Sequence, residues 1–331
     1  MRSFKFARLK RIVSGFKNSR VLVVGDLILD EFIWGNVSRI SPEAPVPVVW
    51  VDSENFMPGG AANVANNIRS LGAEVYLAGV VGNDPRGQSL QTLLKQKNIH
   101  CEGVTADRER PTTQKTRVIA HHQQIVRIDR EVLAPVPEQA LKRIMDFVRR
   151  TIAGVDALIL EDYGKGVIVP KLVRESVRLA KKHGKIVTVD PKETHISYYR
   201  GVTTITPNHH EAGAASGIPI RDSVSLERAG KKLLNQLNCE SVLITRGENG
   251  MSLFQKGRPK VDIPTVARDV YDVSGAGDTV IGVYTLARAC GASALEAAHL
   301  SNCAAGIVVG KVGVAVVTED ELLAEARRQA K

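Results

Sequence analysis

An α/β architecture with a mainly parallel central sheet, helices on both faces and a small β lid is what this sequence predicts, on three observations. Short apolar runs (Val75–Val81, Ala157–Leu160, Ile186–Val189, Thr203–Ile205, Ser241–Ile244) alternate with helical patterns over 87–97, 137–152, 169–183 and 222–237. Strands joined by crossover helices give that alternation. Two stretches break it: residues 32–57, rich in proline, and Thr112–Asp129, which reads as two strands joined by a polar turn. Together they make a flap inserted in the main domain. Finally, no repeat, low-complexity tract or linker divides the chain. The simplest partition is a basic N-terminal extension (1–20) and one domain (21–331), with lid segments at about 32–57 and 110–130.

The 331 residues, 44% of them hydrophobic, are ample for a soluble core. No apolar run reaches the roughly 20 residues of a membrane span, and the N-terminus has no signal-peptide segment, so no span and a cytoplasmic location are expected. Cys101, Cys239, Cys290 and Cys303 are scattered, without metal-ligand spacing, and read as reduced structural thiols. Of the formal charge of +10, Arg2, Lys5, Arg8, Lys10, Arg11, Lys17 and Arg20 supply seven, leaving +3 for the rest. The body therefore offers no general basic face, and nucleic acid is not an expected partner.

Along the chain, Phe4, Phe6, Leu9, Ile12, Val13 and Phe16 have a partly helical spacing among basic residues, and docking on the body is the preferred reading. Val21–Val24 is a buried first strand ending at Gly25-Asp26. Ligands of open α/β sheets bind at such C-terminal strand ends, which makes Asp26 and Asp30 candidates for holding substrate hydroxyls, against turn-forming or capping roles. The prolines of Ser38–Asp52 suit an edge or projecting strand. Gly59-Gly60 then leads into a small-residue helix with Asn63, an amide that can both donate and accept, in its first turn.

Further charged residues follow strand ends: Asp162 and Lys165 in Asp-Tyr-Gly-Lys-Gly166, and Asp190-Pro-Lys192. Asn208 and Glu211 are three apart and able to share a helical face, and a Glu near phosphates calls for a divalent ion between them, held directly or through water. His121-His122 and His209-His210 lack ligand spacing and read as exposed. Thr245 and Gly247 follow Val242-Leu-Ile, poised to meet phosphate oxygens. In Asp272–Val280, glycines precede a helix whose free amides and positive dipole end suit an anion, with Asp278 in its first turn. A carboxylate there fits a base that takes a proton from a hydroxyl attacking a phosphate. From this stretch alone, an ordinary loop with Asp278 as a helix-start residue stays equally open.

Gly306-Ile-Val-Val-Gly-Lys311 is not a P-loop, having three residues between its glycines and Val312 after the lysine. No Gly-x-Gly-x-x-Gly follows the first strand, which argues against a dinucleotide oxidoreductase. The ordered set Gly59-Gly60…Asn63, Asn208-x-x-Glu211 and Asp272-x-x-Gly-Ala-Gly-Asp278, over about residues 21–320, closely resembles the ribokinase-like (pfkB) family of sugar kinases. The resemblance implies an αβα sandwich with a β lid, ATP with Mg²⁺, a monovalent cation as a further candidate, and in-line transfer of the γ-phosphoryl group to a sugar hydroxyl.

Within that family, Val23–Asp30, Ser38–Val48, Gly59–Ala65, Glu161–Gly166 and Tyr271–Val280 are similar to the kinases that phosphorylate the anomeric hydroxyl of D-glycero-D-manno-heptose 7-phosphate, a step toward ADP-heptose and lipopolysaccharide. Such kinases often carry a second, nucleotidyl-transferring domain, not expected within these residues. Asp190-Pro-Lys-Glu193 departs from the pattern, which has Gly after the lysine. By position, the resemblance implies Asp278 as base and Gly275, Ala276 and Gly277 as amides for the developing charge. It further implies Asn208, Glu211 (Mg²⁺, through water), Thr245, Gly247, Gly277 and Asn302 toward ATP, and Asp26, Gly59, Gly60, Asn63, Asp162 and Lys165 toward the sugar. Lys115 and Arg117, on one face of a lid strand, or Arg127 as an alternative, with help from Lys165 or Lys192, are candidates for the substrate's own phosphate, against solvated lid charges. The expected partners are a sugar phosphate, ATP and a second copy paired through the lid.

Overall fold

The computed structural model describes residues 4–330 apart from His122 and Arg268. Helix α1 (Phe6–Val13) buries Leu9, Ile12 and Val13, with Phe16 beyond its end, while Arg8 turns outward to Glu296 at 3.0 Å. Each such apolar side chain removed from water contributes about 1.5–3 kcal/mol, so the segment packs as part of the core. Strand β1 (Arg20–Gly25) follows, then β2 (Leu27–Ile40), β3 (Pro47–Gly60), α2 (Ala61–Ser70), β4 (Glu74–Gly82), α3 (Pro85–Gln96), β5 (His100–Asp107), β6 (Thr113–Ala120) and β7 (Gln123–Arg130). The second half runs α4 (Glu138–Thr151), β8 (Ala157–Glu161), α5 (Pro170–Lys182), β9 (Ile186–Asp190), β10 (Thr204–Ile205), α6 (His209–Ser216), α7 (Ser223–Leu237) and β11 (Ser241–Thr245). Strands β12 (Met251–Gln255) and β13 (Val261–Ile263) and helices α8 (Ala276–Ala289), α9 (Ala294–Val308) and α10 (Glu319–Gln329) complete it.

Nine strands form the main sheet in the order β13-β12-β11-β10-β9-β8-β1-β4-β5. All neighbours are parallel except β11-β12 and β12-β13. Its central strands read as continuous apolar runs because both faces are covered. One core lies between the sheet and α1, α2, α8, α9 and α10, the other between the sheet and α4, α5 and α7. Reciprocal caps start four of the helices, at Asn208/Glu211, Asp222/Ser225, Ser293/Glu296 and Thr318/Glu321.

A second sheet, β3-β2-β6-β7, is the lid, and proline-bearing β3 is one of its edges. Only Asp26 separates β1 from β2, so the chain leaves the main sheet for the lid at the C-terminal end of its central strand. There β1 lies between β8 and β4, the point at which the strand order reverses. Such a reversal opens a crevice at the strand ends, and the lid stands over it. No helix among the described residues is long and apolar enough to cross a membrane.

Candidate active site

Helix α8 begins in the crevice. Gly275, just before it, has φ 76°, and a side-chain carbon there would lie 2.6 Å from Asn63 Nδ2, so glycine is what allows α8 to close on α2. Asp278, in the first turn, is buried with both oxygens engaged. Asn63 Nδ2 donates to Oδ2 at 2.6 Å and the Tyr163 hydroxyl to Oδ1 at 2.8 Å. Burial pushes its carboxyl up to about 7, against the lowering effect of these two donors.

Beneath it, Glu161 ends β8 and Asp190 ends β9, and carboxylate oxygens of the three acids lie within 4.8 Å of one another. Burial first, and then neighbouring negative charge, holds Glu161 and Asp190 well above the usual carboxylate range. Neither oxygen of the fully buried Glu161 has a hydrogen-bond partner among the described residues. Asp190 accepts from the Thr206 hydroxyl at 3.1 Å, and Glu211 is the next acid outward, its charge felt at Asp190. Asn208 stands before α6 rather than within it. Its Oδ1 accepts from the Glu211 amide at 3.0 Å, while Glu211 Oε2 accepts from the Asn208 amide at 2.8 Å.

The lid supplies the opposite charge. A cavity of about 210 Å³ is lined on the core side by Asn63, Tyr163, Gly275 and Asp278 and on the lid side by Asp30, Lys115, Arg117 and Arg127. The register explains the cluster: Lys115 pairs with Asp30 on β2 and with Asp129 on β7, and Arg117 stands opposite both Phe32 and Arg127. Arg117 Nη1 reaches Asp30 Oδ1 at 2.5 Å, with its guanidinium 5.3 Å from the Phe32 ring centre. Asp129 receives Arg127 at 2.9 and 3.1 Å and Lys115 at 3.5 Å. Three cations thus face two carboxylates here, an excess of positive charge on the lid wall.

Of the residues singled out in the sequence, Asp278, Gly275, Gly60, Asn63, Asp30, Lys115, Arg117 and Arg127 line this cavity. Gly277 lies beside Asp190, Gly59 against Asp30, and the Ala276 amide donates to the Val273 carbonyl at 3.3 Å. Asp26, Asp162 and Lys165 are directed elsewhere. Asp26 accepts three backbone amides, Asp162 is hydrogen bonded to His195 and Tyr199, and Lys165 pairs with Glu131 at 2.7 Å.

Thr245 is bridged to Asn208, and Gly247 opens the short turn after β11. Asn302 donates to the Pro264 carbonyl at 2.8 Å and opens on a separate groove of about 570 Å³ beside β13. The His209 and His210 rings lie side by side, their centres 3.8 Å apart and their planes tilted by 40°, with His210 exposed; His121 is exposed, and His122 lies outside the described residues. The sequence reading passed over Glu161 and Tyr163. Glu161 carried a signal, an acid closing an otherwise apolar strand, while the contact of Tyr163 with Asp278 has none in the sequence.

The family description pfkB family carbohydrate kinase matches residues 18–321. The bifunctional protein HldE of Desulfatibacillum aliphaticivorans is 49% identical over 317 residues, which are 96% of this chain and 65% of that protein. The bifunctional protein HldE of Geobacter metallireducens is 47% identical over 317 residues, 95% of this chain and 65% of that one. The chain therefore spans about 65% of the length of these curated relatives.

Among solved structures, Arabidopsis thaliana ribokinase complexed with ribose and ATP superposes with a TM-score of 0.74 at 18% identity, covering 93% of this chain and 99% of that one. Phosphofructokinase-2 from Escherichia coli in complex with substrates and products gives 0.77 at 20% identity, with 94% and 99% covered. At such identities these two carry the fold alone.

Proposed function

Because the chain belongs to the pfkB family of carbohydrate kinases, we propose that it transfers the γ-phosphoryl group of ATP to the anomeric hydroxyl of D-glycero-D-manno-heptose 7-phosphate, giving the 1,7-bisphosphate and ADP on the route to ADP-heptose. The observation that carries the reading is one cavity with a buried, doubly held carboxylate, Asp278, on one wall and Lys115, Arg117 and Arg127 on the other. A sugar with its own phosphate matches both walls: hydroxyl toward the acid, phosphate toward the cations.

In the proposed step the anomeric oxygen attacks the γ-phosphorus while Asp278 takes its proton. The bond from that phosphorus to the bridging oxygen breaks, and ADP leaves with the electron pair. The N-terminal end of α8, through the Gly275–Gly277 backbone, meets the charge on the transferred group. Asp278 needs position more than basicity, since in a loose transition state the hydroxyl proton leaves late. Asn63 and Tyr163 fix that position.

The residues present also fit the divalent cation the family implies. Glu161 has two buried oxygens without partners among the described residues, and Asp190 lies close by, a set of hard oxygen donors suited to Mg²⁺. Glu161 and Asp190, with Glu211 on the outer side, are the groups that would hold it; when bound it neutralises charge on the ATP phosphates. Pairing of two chains through the lid is part of the same proposal.

A phosphorylation screen with ATP tests the substrate. Heptose 7-phosphate is expected to give a kcat/KM at least about 100-fold above ribose, because losing a charge-assisted phosphate contact costs about 1.5–3 kcal/mol per bond. Equal turnover of phosphate-free sugars contradicts the assignment of the lid cations, and preference for fructose 6-phosphate or fructose 1-phosphate replaces the heptose.

A further inference from the structure

Asp26 stands where a sugar-binding carboxylate was anticipated, yet its hydrogen bonding goes to a single loop. The amides of Tyr163 and Lys165 donate to its Oδ2 at 2.9 Å each, and the Val167 amide donates to Oδ1 at 3.0 Å. The start of that loop is tied a second time through Asp162, which accepts from the Gly164 amide at 2.8 Å, His195 Nδ1 at 2.7 Å and the Tyr199 hydroxyl. Gly166 completes the shape, with φ 91° and room for a side-chain carbon only 2.1 Å from the Ala134 carbonyl oxygen. A loop held by six hydrogen bonds has little freedom. From it Tyr163 reaches the cavity wall, and its hydroxyl meets the base.

We propose that Tyr163 is a positioning residue for Asp278, and that Asp26 acts through it by clamping the loop. The inference rests on the kinase reading, in which Asp278 is the base. A carboxylate with one donor can swing about its side-chain bonds; with Asn63 on one oxygen and Tyr163 on the other it presents its remaining lone pairs in one direction. The Tyr163 hydroxyl donates to Asp278 Oδ1 at 2.8 Å, so it holds the base as a donor and leaves the acid's other lone pairs to the substrate's proton. Misplacement of a reacting group by about 1 Å can cost roughly 100-fold in rate, which is the scale at which such a contact matters.

The test is steady-state kinetics of the wild type, Tyr163→Phe, Asp26→Asn and the double variant on whichever sugar phosphate the wild type phosphorylates, with melting temperatures measured alongside. Losing one hydrogen bond to a charged group predicts a fall in kcat of roughly 10- to 100-fold for Tyr163→Phe, with both KM values within about twofold. Asp26→Asn puts a donor among the three amides and is expected to lower kcat similarly. Added to Tyr163→Phe it should change kcat by less than about threefold, because both act on one contact.

Wild-type kcat in Tyr163→Phe overturns the proposal, as does a raised KM with kcat kept, which makes Tyr163 a sugar contact. Multiplying effects in the double variant overturn the part assigned to Asp26. A wild type that phosphorylates no sugar removes the kinase reading itself, and is told apart because the failure precedes any substitution.

Discussion

Asp278 combines a buried carboxyl held near pH 7 with two donors that keep it in place, and the two properties pull stability in opposite directions. Its folded value of about 7 lies above the ordinary 3.8, so between those pH values the folded chain keeps a proton that the unfolded chain has released. Stability contributed by this group is therefore complete below about pH 4 and lost as pH rises through 7, by about 4 kcal/mol at full extent. Asp278→Asn removes the ionisation while keeping the contacts: the amide oxygen can accept from Asn63 and the amide nitrogen can donate to the phenolic oxygen of Tyr163. Urea unfolding should show the variant more stable than the wild type at pH 8, by up to about 4 kcal/mol, with the advantage fading toward pH 4. A difference that is constant across pH contradicts this account of the burial. The carboxylates of this region were visible in the sequence because each follows an apolar strand. Their partners were not, since Tyr163 and Asp278 meet only through the path of a loop.

Among the elements, the lid carries the sharpest division of faces. Its inner side presents Lys115, Arg117 and Arg127 to the cavity, whereas Val51, Val126 and Ile128 are exposed at 53%, 46% and 56%. Strands β3 and β7 are also the two open edges of this sheet. Unpaired edges beside apolar side chains favour association, and a stable dimer needs about 1,200–2,000 Å² of such surface. Light scattering at micromolar concentration should give about twice the 35.9 kDa of one chain, with Val126→Asp and Ile128→Asp together shifting it to the monomer. A monomeric wild type contradicts lid pairing.

The lid strands were legible from their prolines and polar turn. Strand β5, half-exposed at the sheet edge, lacked the continuous apolar run that marked β1, β8 and β11. The Asn208–Glu211 pair was legible as a spacing, but the spacing alone does not distinguish two residues on a helical face from the reciprocal cap that they form.

At the scale of the whole molecule, the order of the central sheet gathers the chemistry. Reversal of strand order at β1 brings the ends of β1, β8 and β9 under the start of α8, so residues as far apart as Asn63, Glu161, Asp190 and Asp278 share one crevice. The alternating pattern made that architecture legible, because parallel strands buried on both faces leave continuous apolar runs. Which strand-end acids face the cavity was not legible: Asp26 and Asp30 are four residues apart, yet one organises a loop and the other lines the lid wall.

In the proposed reaction Asp278 is the group on which phosphoryl transfer to the sugar phosphate depends. The most direct test is an assay of the wild type and Asp278→Asn with Mg²⁺, ATP and heptose 7-phosphate, following ADP and the sugar product together. The wild type should form one bisphosphate per ADP, and the variant should be slower by about 100- to 10,000-fold, the range for loss of a general base. Equal turnover by the two proteins would contradict this role of Asp278.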